Sequence, residues 1–321
     1  MKKREKKVKS KVVYNEKGFL QNTWDHRALL MMAMPVIILL ILFNYVPMFG
    51  SIVAFKKFNY QDGIWGSPWV GLDNFKFLFN MPSLTWRLIR NTVGYYLLFT
   101  LIGTVCNVAL AVALNECRNK MFAKISQTLM IMPMFISYIA VSYIVSCFLD
   151  PQKGMINSWL VSAGQEGILW YYEAKYWPVI LAVVKVWKGT GYGAIIYLSA
   201  LAGMDQELFE AAQIDGASKW QQIRYITLPL LIPTVSIVTL MGVASIMTSD
   251  TGLFYQVTKN SSMIYETTQT IDTYVLTTIT SGATNFGPSS AVSFFQSIVG
   301  GVACVVSNAA VKRVDPDSAL F

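Results

Sequence analysis

A chain of 321 residues with 54% hydrophobic side chains, only 14% charged ones and a formal net charge of +8 falls well short of the roughly 25% charged residues usual in a soluble domain. Long charge-free stretches alternate with short charged ones, which excludes a water-soluble fold and predicts an all-α integral membrane protein with about six transmembrane helices. The length would suit about two soluble domains, but apolar segments run from end to end, so a single membrane domain is expected over 28–310, flanked by segments 1–27 and 311–321.

In chain order, the first segment holds Lys2, Lys3, Arg4, Lys6, Lys7, Lys9, Lys11, Lys17 and Arg27. A basic run just before an apolar span reads as a cytoplasmic anchor beside anionic lipid. No stacking aromatics interleave with it, so nucleic-acid binding is not expected. The apolar run Ala28–Val46 is too long for a signal-peptide core and no small-x-small site follows it, which predicts an uncleaved first helix. His26 reads as an interfacial polar residue. Cys106, Cys117, Cys147 and Cys304 form no Cys-x-x-Cys pair, and three lie in apolar stretches. They read as small hydrophobes, and neither a disulfide framework nor a metal site is expected.

Six segments are long and apolar enough to span: about 28–54, 91–114, 125–148, 178–200, 228–248 and 288–310. Each holds about 20 residues, as a hydrocarbon core of ~30 Å requires. With the N-terminus inside, sixteen of the 26 Lys and Arg residues fall on inner segments and eight on outer loops. That bias predicts both termini in the cytoplasm. The outer loops, 55–90, 149–177 and 249–287, are rich in aromatics, as in Trp65-Gly66-Ser67-Pro68-Trp69 and Trp170-Tyr171-Tyr172. These read as an interfacial aromatic belt or as a docking surface for an external partner.

The inner loop between spans four and five, about 205–229, carries Asp205, Glu207, Glu210 and Asp215. Acidic residues there run against the positive-inside trend, so something other than topology shaped the loop. Asp205 can N-cap a short helix whose Leu208, Ala211 and Ala212 share a face. Gly216 is a natural left-handed stop. Ser218 and Gln221 have the spacing of a capping box that starts a second helix. At Pro229 the chain would kink or begin a new helix into span five. Two short helices on the inner face would make a rigid knob; the alternative is an amphipathic segment resting on the membrane surface.

Glu210-Ala211-Ala212, Gly216 four residues on, and Ile226, Leu228 and Pro229 after nine more stand at the spacing of the EAA loop of ABC importer permeases. The segment resembles that loop without a gap, and 28–310 resembles the oligosaccharide branch related to the maltose permeases. Within that branch it is most similar to Gram-positive permeases for complex oligosaccharides from polysaccharide breakdown. Softer matches are Trp187-Lys188-Gly189-Thr190-Gly191-Tyr192-Gly193, Ile195-Ile196-Tyr197-Leu198 and Phe294-Phe295-Gln296-Ser297. The resemblance implies the type I ABC importer permease architecture in a bacterial plasma membrane. The implied partners are a second homologous permease subunit, two copies of a cytoplasmic ABC ATPase and an extracellular solute-binding lipoprotein that delivers the oligosaccharide. ATP-Mg would be bound by the ATPase and no cofactor by this chain, which would not be an enzyme. The EAA loop would transmit ATPase closure to the helices, with Gly216 setting the angle between its two helices and Glu210 capping or pairing at the interface.

Two other patterns need weighing. Gly189-x-Gly191-x-x-Ala194, with Glu210 downstream, nominally fits a relaxed dinucleotide fingerprint. It lies inside a span with no strand after it, and the glycines more readily serve close helix packing. No P-loop run is present. Lys185 and Lys188 stand three apart on one face of span four, where a charge faces a cavity or a partner. They are candidates for a polar substrate path, or for pairing with a carbonyl or an acid. Tyr138, Tyr192, Ser245, Asp250 and Gln296 are further path candidates, since aromatic faces stack on sugars and polar tips bond hydroxyls. The rival functions are an ion-coupled secondary transporter of a small polar solute, which would want acids deep in spans and internal repeats, and a membrane enzyme, for which no catalytic constellation is present.

Overall fold

The computed structural model describes residues 26–281 and 286–314. The basic cluster from Lys2 to Lys17 and residues 315–321 lie outside the described residues. Among the described residues the chain is helical, with one isolated antiparallel bridge between Lys56 and Trp69 and no strand. The chain divides into two compact units between Ile52 and Val53.

The described part of the first unit belongs to α1, the helical run Arg27–Phe55. Pro47 has no N–H to give, and its ring would strike the Phe43 carbonyl of a regular helix. The run widens there into a π turn, Ile41–Tyr45, which relieves that collision.

The second unit holds the remaining spans. Pro82 occupies the first turn of α2, Pro82–Asn115, where its missing N–H costs nothing. The third expected span is not one helix. It consists of α3, Lys120–Ile131, a 3-10 turn Met132–Phe135, and α4, Tyr138–Leu149. The two halves are bent by 98°. Pro133 cannot continue the helical ladder, and the Ser137 side chain accepts from the Ala140 N–H to start a fresh helix. The expectation of an unbroken 125–148 helix is corrected accordingly.

After α5, Met155–Ser162, the fourth span is α6, Trp177–Ala202. The loop between the fourth and fifth spans forms α7, Gln206–Ile214. The fifth span is α8, a helical run Lys219–Val243, which starts earlier and ends earlier than the expected 228–248. The short α9, Ile271–Thr280, precedes the last span α10, Gly287–Val314, so the expected tail begins inside a helix.

Helices α2 and α6 form the spine of this unit. At one end, Tyr95, Trp177, Leu181 and Val184 pack with Val141 and Val145 of α4 and with Leu253, Phe254 and Val257. At the other end, Ala111, Ala194, Tyr197 and Leu201 pack with Leu231 of α8. A third cluster joins Leu88 to Met247, Ile271 and Val292.

The connections away from the 205–229 loop are tied down by single polar side chains. Lys56, buried, donates to the carbonyls of Ile64 and Trp65, both at 2.9 Å. Asn157, also buried, takes N–H groups from Ile168 and from the Trp170 ring and donates to the carbonyls of Pro151 and Ile168. The aromatic segments divide as a result. Trp65, Trp69 and Tyr172 are exposed, whereas Trp170 is core. Asp150, just past α4, accepts the N–H groups of Lys153 and Gln152, which hold its carboxyl below the usual carboxylate range.

Candidate functional site

The loop between the fourth and fifth spans, here called the knob, is built from its own caps. Asp205 Oδ1 accepts from Glu207 N at 3.0 Å and starts α7. Gly216 adopts φ +80°, a conformation that costs a side-chain-bearing residue about 1–2 kcal/mol. With it, Ala217 N–H reaches Ala212 O at 2.8 Å and Gly216 N–H reaches Gln213 O at 3.1 Å, a Schellman closure. Ser218 and Gln221 then form the reciprocal capping box.

The second helix of the knob does not stop at Pro229. It continues through a π turn, Ile223–Thr227, into the fifth span. A proline ring collides with the carbonyl four residues back, here Tyr225, and the widened turn sits around that residue. The expected restart at Pro229 is therefore replaced by one continuous helical run. A surface ion pair, Lys219 to Glu116 at 3.4 Å, leans the knob on the connection between α2 and α3.

The knob leaves much of its apolar surface uncovered. Ile214 is 86% exposed, and Leu208, Trp220 and Tyr225 are also exposed. Glu210 and Ala211 are exposed, and Ala212 is half-buried. Among the described residues Glu210 makes no ion pair. Of the motif's last three residues, Ile226 and Leu228 are half-buried and Pro229 is exposed.

The second constellation surrounds the break in the third span. The Lys188 ammonium donates to Pro133 O at 3.2 Å, to Met134 O at 2.8 Å and to Ile136 O. The broken ladder gives Met134 O and Ile136 O no N–H partner, while Pro133 O also accepts from Ile136 N–H at 3.2 Å, and at membrane depth no water replaces a missing partner. Lys188 also stands 4.9 Å over the Tyr138 ring. Gly191 lets α6 approach this closely, since a Cβ there would lie 1.8 Å from Met130 O. Gly252 does the same for Tyr138, whose ring a Cβ would meet at 2.3 Å.

One helical turn away, Lys185 Nζ reaches Asp250 Oδ2 at 3.0 Å. The Tyr138 hydroxyl donates to the same oxygen, and Leu253 N–H donates to Oδ1 at 3.3 Å. Thus Lys185, Lys188, Tyr138 and Asp250 form one network. Lys185, Asp250 and Ser245 line a cavity of about 400 Å³. Tyr192 is exposed on α6 outside that network. Gln296 is buried and donates to Met247 O at 2.6 Å, where the fifth span unwinds. It closes backbone rather than lining the cavity.

The same cavity contains Thr92, Tyr96, Thr100 and Thr248, which were not singled out from sequence. The first three carried a legible signal, since spacings of four on α2 put them on one face of an otherwise apolar helix.

Comparison with known proteins gives a consistent picture. Residues 100–319 match the family model described as binding-protein-dependent transport system inner membrane component. The chain is 33% identical over 290 residues to protein LplB of Bacillus subtilis (strain 168), covering 90% of each chain. It is 32% identical over 290 residues to the polygalacturonan/rhamnogalacturonan transport system permease protein YteP of the same organism, covering 90% of this chain and 89% of that one. A bacterial ABC transporter involved in the import of the acidic polysaccharide alginate has a chain that superposes with TM-score 0.82 at 29% identity, over 93% of this chain and 100% of that one. In a related structure, similar at TM-score 0.81 and 28% identity over 93% and 98%, that transporter is in complex with an alginate pentasaccharide-bound periplasmic protein.

Proposed function

The chain belongs to the family of binding-protein-dependent transport system inner membrane components, and on that premise we propose that it is the membrane-spanning subunit of an ATP-driven importer of oligosaccharides. It carries no ATP site of its own. Two copies of a separate cytoplasmic ATPase bind ATP-Mg, a second homologous permease completes the path, and an extracellular solute-binding lipoprotein delivers the sugar. Both termini lie on the cytoplasmic side of a bacterial plasma membrane.

The observation that carries the reading is the inner knob. Its EAA pattern, Glu210 to Pro229, stands on a self-capped turn whose Leu208, Ile214, Trp220 and Tyr225 have no cover among the described residues. Such a surface favours a protein partner. Glu210, Ala211, Ala212 and Gly216 form its docking edge. Ile226, Leu228 and Pro229 carry the motion into α8, because the knob and the fifth span are one helical run. Coupling then requires only that the ATPase grip the knob differently in its open and closed states. The carbohydrate assignment draws on relatives named for polygalacturonan/rhamnogalacturonan and arabinooligosaccharide transport, and on the alginate importer.

The test is affinity purification of the tagged chain from its native membrane in mild detergent, with mass spectrometry and an ATPase assay. Recovery of an ATPase, a second permease and a binding lipoprotein is expected. Recovery of the chain alone, with no ATPase captured by crosslinking at Lys219, would replace this reading with ion-coupled transport.

A further inference from the structure

The cavity beside the Lys185–Asp250 pair has a chemistry of its own. Lys185 belongs to a membrane span, yet its side chain is 37% exposed and that of Asp250 is 27% exposed. Charges at such depth do not face hydrocarbon; they face water or a polar partner. Thr100, Ser245 and Thr248 add hydroxyls to the same space, and Tyr96 adds an aromatic ring. The pair is also incompletely used. A lysine ammonium has three N–H donors, and Lys185 is seen to give one, to Asp250. Asp250 Oδ2 accepts from Lys185 and Tyr138, but Oδ1 accepts only from Leu253 N. Free donors and a free acceptor thus stand side by side on two groups of opposite charge.

We infer that this cavity is a sugar subsite that selects a neutral ring over a uronate. A sugar hydroxyl both gives and takes a hydrogen bond, so adjacent hydroxyls satisfy Lys185 and Asp250 together while the ring lies against Tyr96. A carboxylate placed on Lys185 has Asp250 as its neighbour. With the two charges 3.0 Å apart, the attraction of one is cancelled by the repulsion of the other, and its desolvation is left uncompensated. The subsite therefore differs in its charge preference from what an importer of an acidic polysaccharide needs at such a position. The inference rests on the importer reading above and specifies its substrate class.

The experiment uses the assembled transporter in lipid nanodiscs without the external binding protein. Galactotriose and trigalacturonate, which differ only in the carboxylates, are titrated by calorimetry at millimolar range. The wild type is expected to bind galactotriose at least tenfold more tightly. Asp250→Asn leaves Lys185 uncompensated and is expected to shift the ratio at least tenfold toward trigalacturonate. Lys185→Gln shifts it the other way, and the double variant returns it to the wild-type value. A merely structural pair would weaken both sugars equally and leave the ratio unchanged across all four proteins. That result would overturn the proposal, as would a wild-type preference for trigalacturonate or binding of neither sugar. If Asp250→Asn does not assemble, the opposite shift in Lys185→Gln decides. ATPase present in the same preparation shows that the importer reading stands even when the sugar ratio fails.

Discussion

Two regions interrupt the helical backbone of the second unit, and they close the interruption in opposite ways. At the break between α3 and α4, the loose carbonyls are gathered by one ammonium, Lys188, sent in from α6. At the inner knob, every cap comes from the knob's own sequence, Asp205, Gly216, Ser218 and Gln221. The membrane-depth break is closed by a side chain sent from another helix. The surface turn is locally complete, and Leu208, Glu210, Ile214, Trp220 and Tyr225 stay exposed among the described residues. A break in a spanning helix is thus a packing device, while a self-sufficient turn at the surface leaves its side chains uncommitted to its own fold.

This contrast can be broken most severely at Lys188. Lys188→Met strands the Met134 and Ile136 carbonyls, each worth about 1–3 kcal/mol when left unpaired, and a fall in detergent melting temperature on the order of 10 °C is expected. Lys188→Arg, which keeps the donors, should recover much of it. An unchanged melting curve for Lys188→Met would show that the break is held by other contacts. Gly191→Val comes next. Its added Cβ meets Met130 O, and such overpacking costs roughly 1–3 kcal/mol, read as a lower melting temperature with α3 and α6 forced apart. At the knob the expected pattern reverses. Gly216→Val strains the left-handed turn by about 1–2 kcal/mol, but the penalty stays local, so uptake should fall with little change in global melting. Glu210→Ala should leave stability within about 0.5 kcal/mol while abolishing uptake and reducing ATPase recovery; normal uptake would remove the coupling role.

The smallest effect is electrostatic. Asp150 has its ionisation favoured by the Lys153 and Gln152 N–H groups and opposed slightly by desolvation. Because its folded pKa is depressed, its contribution is present above the ordinary carboxylate range. It is lost as pH falls through that range and below. Asp150→Asn should flatten a small acid-limb slope in the melting temperature measured between about pH 5 and pH 3.

Much of this was legible from residue order, for physical reasons that can be named. Spans reveal themselves because lipid demands long apolar runs, and the knob's caps because each is a contact of two to four residues. The break in the third span was written only faintly. Pro133 and Ser137 are ordinary signals for ending and starting a helix, but 125–148 is apolar throughout, and hydropathy alone reads through it. Its closure depends on Lys188, more than fifty residues away, which no local rule connects to Pro133. The same limit applies to Asp250. From sequence it stood at the mouth of an outer loop, and only folding brings it to Lys185. Gln296 draws notice by its polarity within a span, yet its amide is spent on the Met247 carbonyl and on Asp272 Oδ1. Thr92, Tyr96 and Thr100 were missed although their spacing was open to view, because single hydroxyls in an apolar helix commonly bond their own backbone.

The continuity of α8 has a mechanical consequence. The run Lys219–Val243 holds 25 residues, a shaft of about 37 Å at 1.5 Å per residue. Its lower end carries half of the knob, and its upper end stops just short of Ser245 and Asp250. Rotating such a shaft by ~5° about one end sweeps the other through ~3 Å, by the same helical rise. That is about the span of one hydrogen bond. A small nudge below is therefore geared to the distance that makes or unmakes a contact above, without any messenger chain of side chains between them.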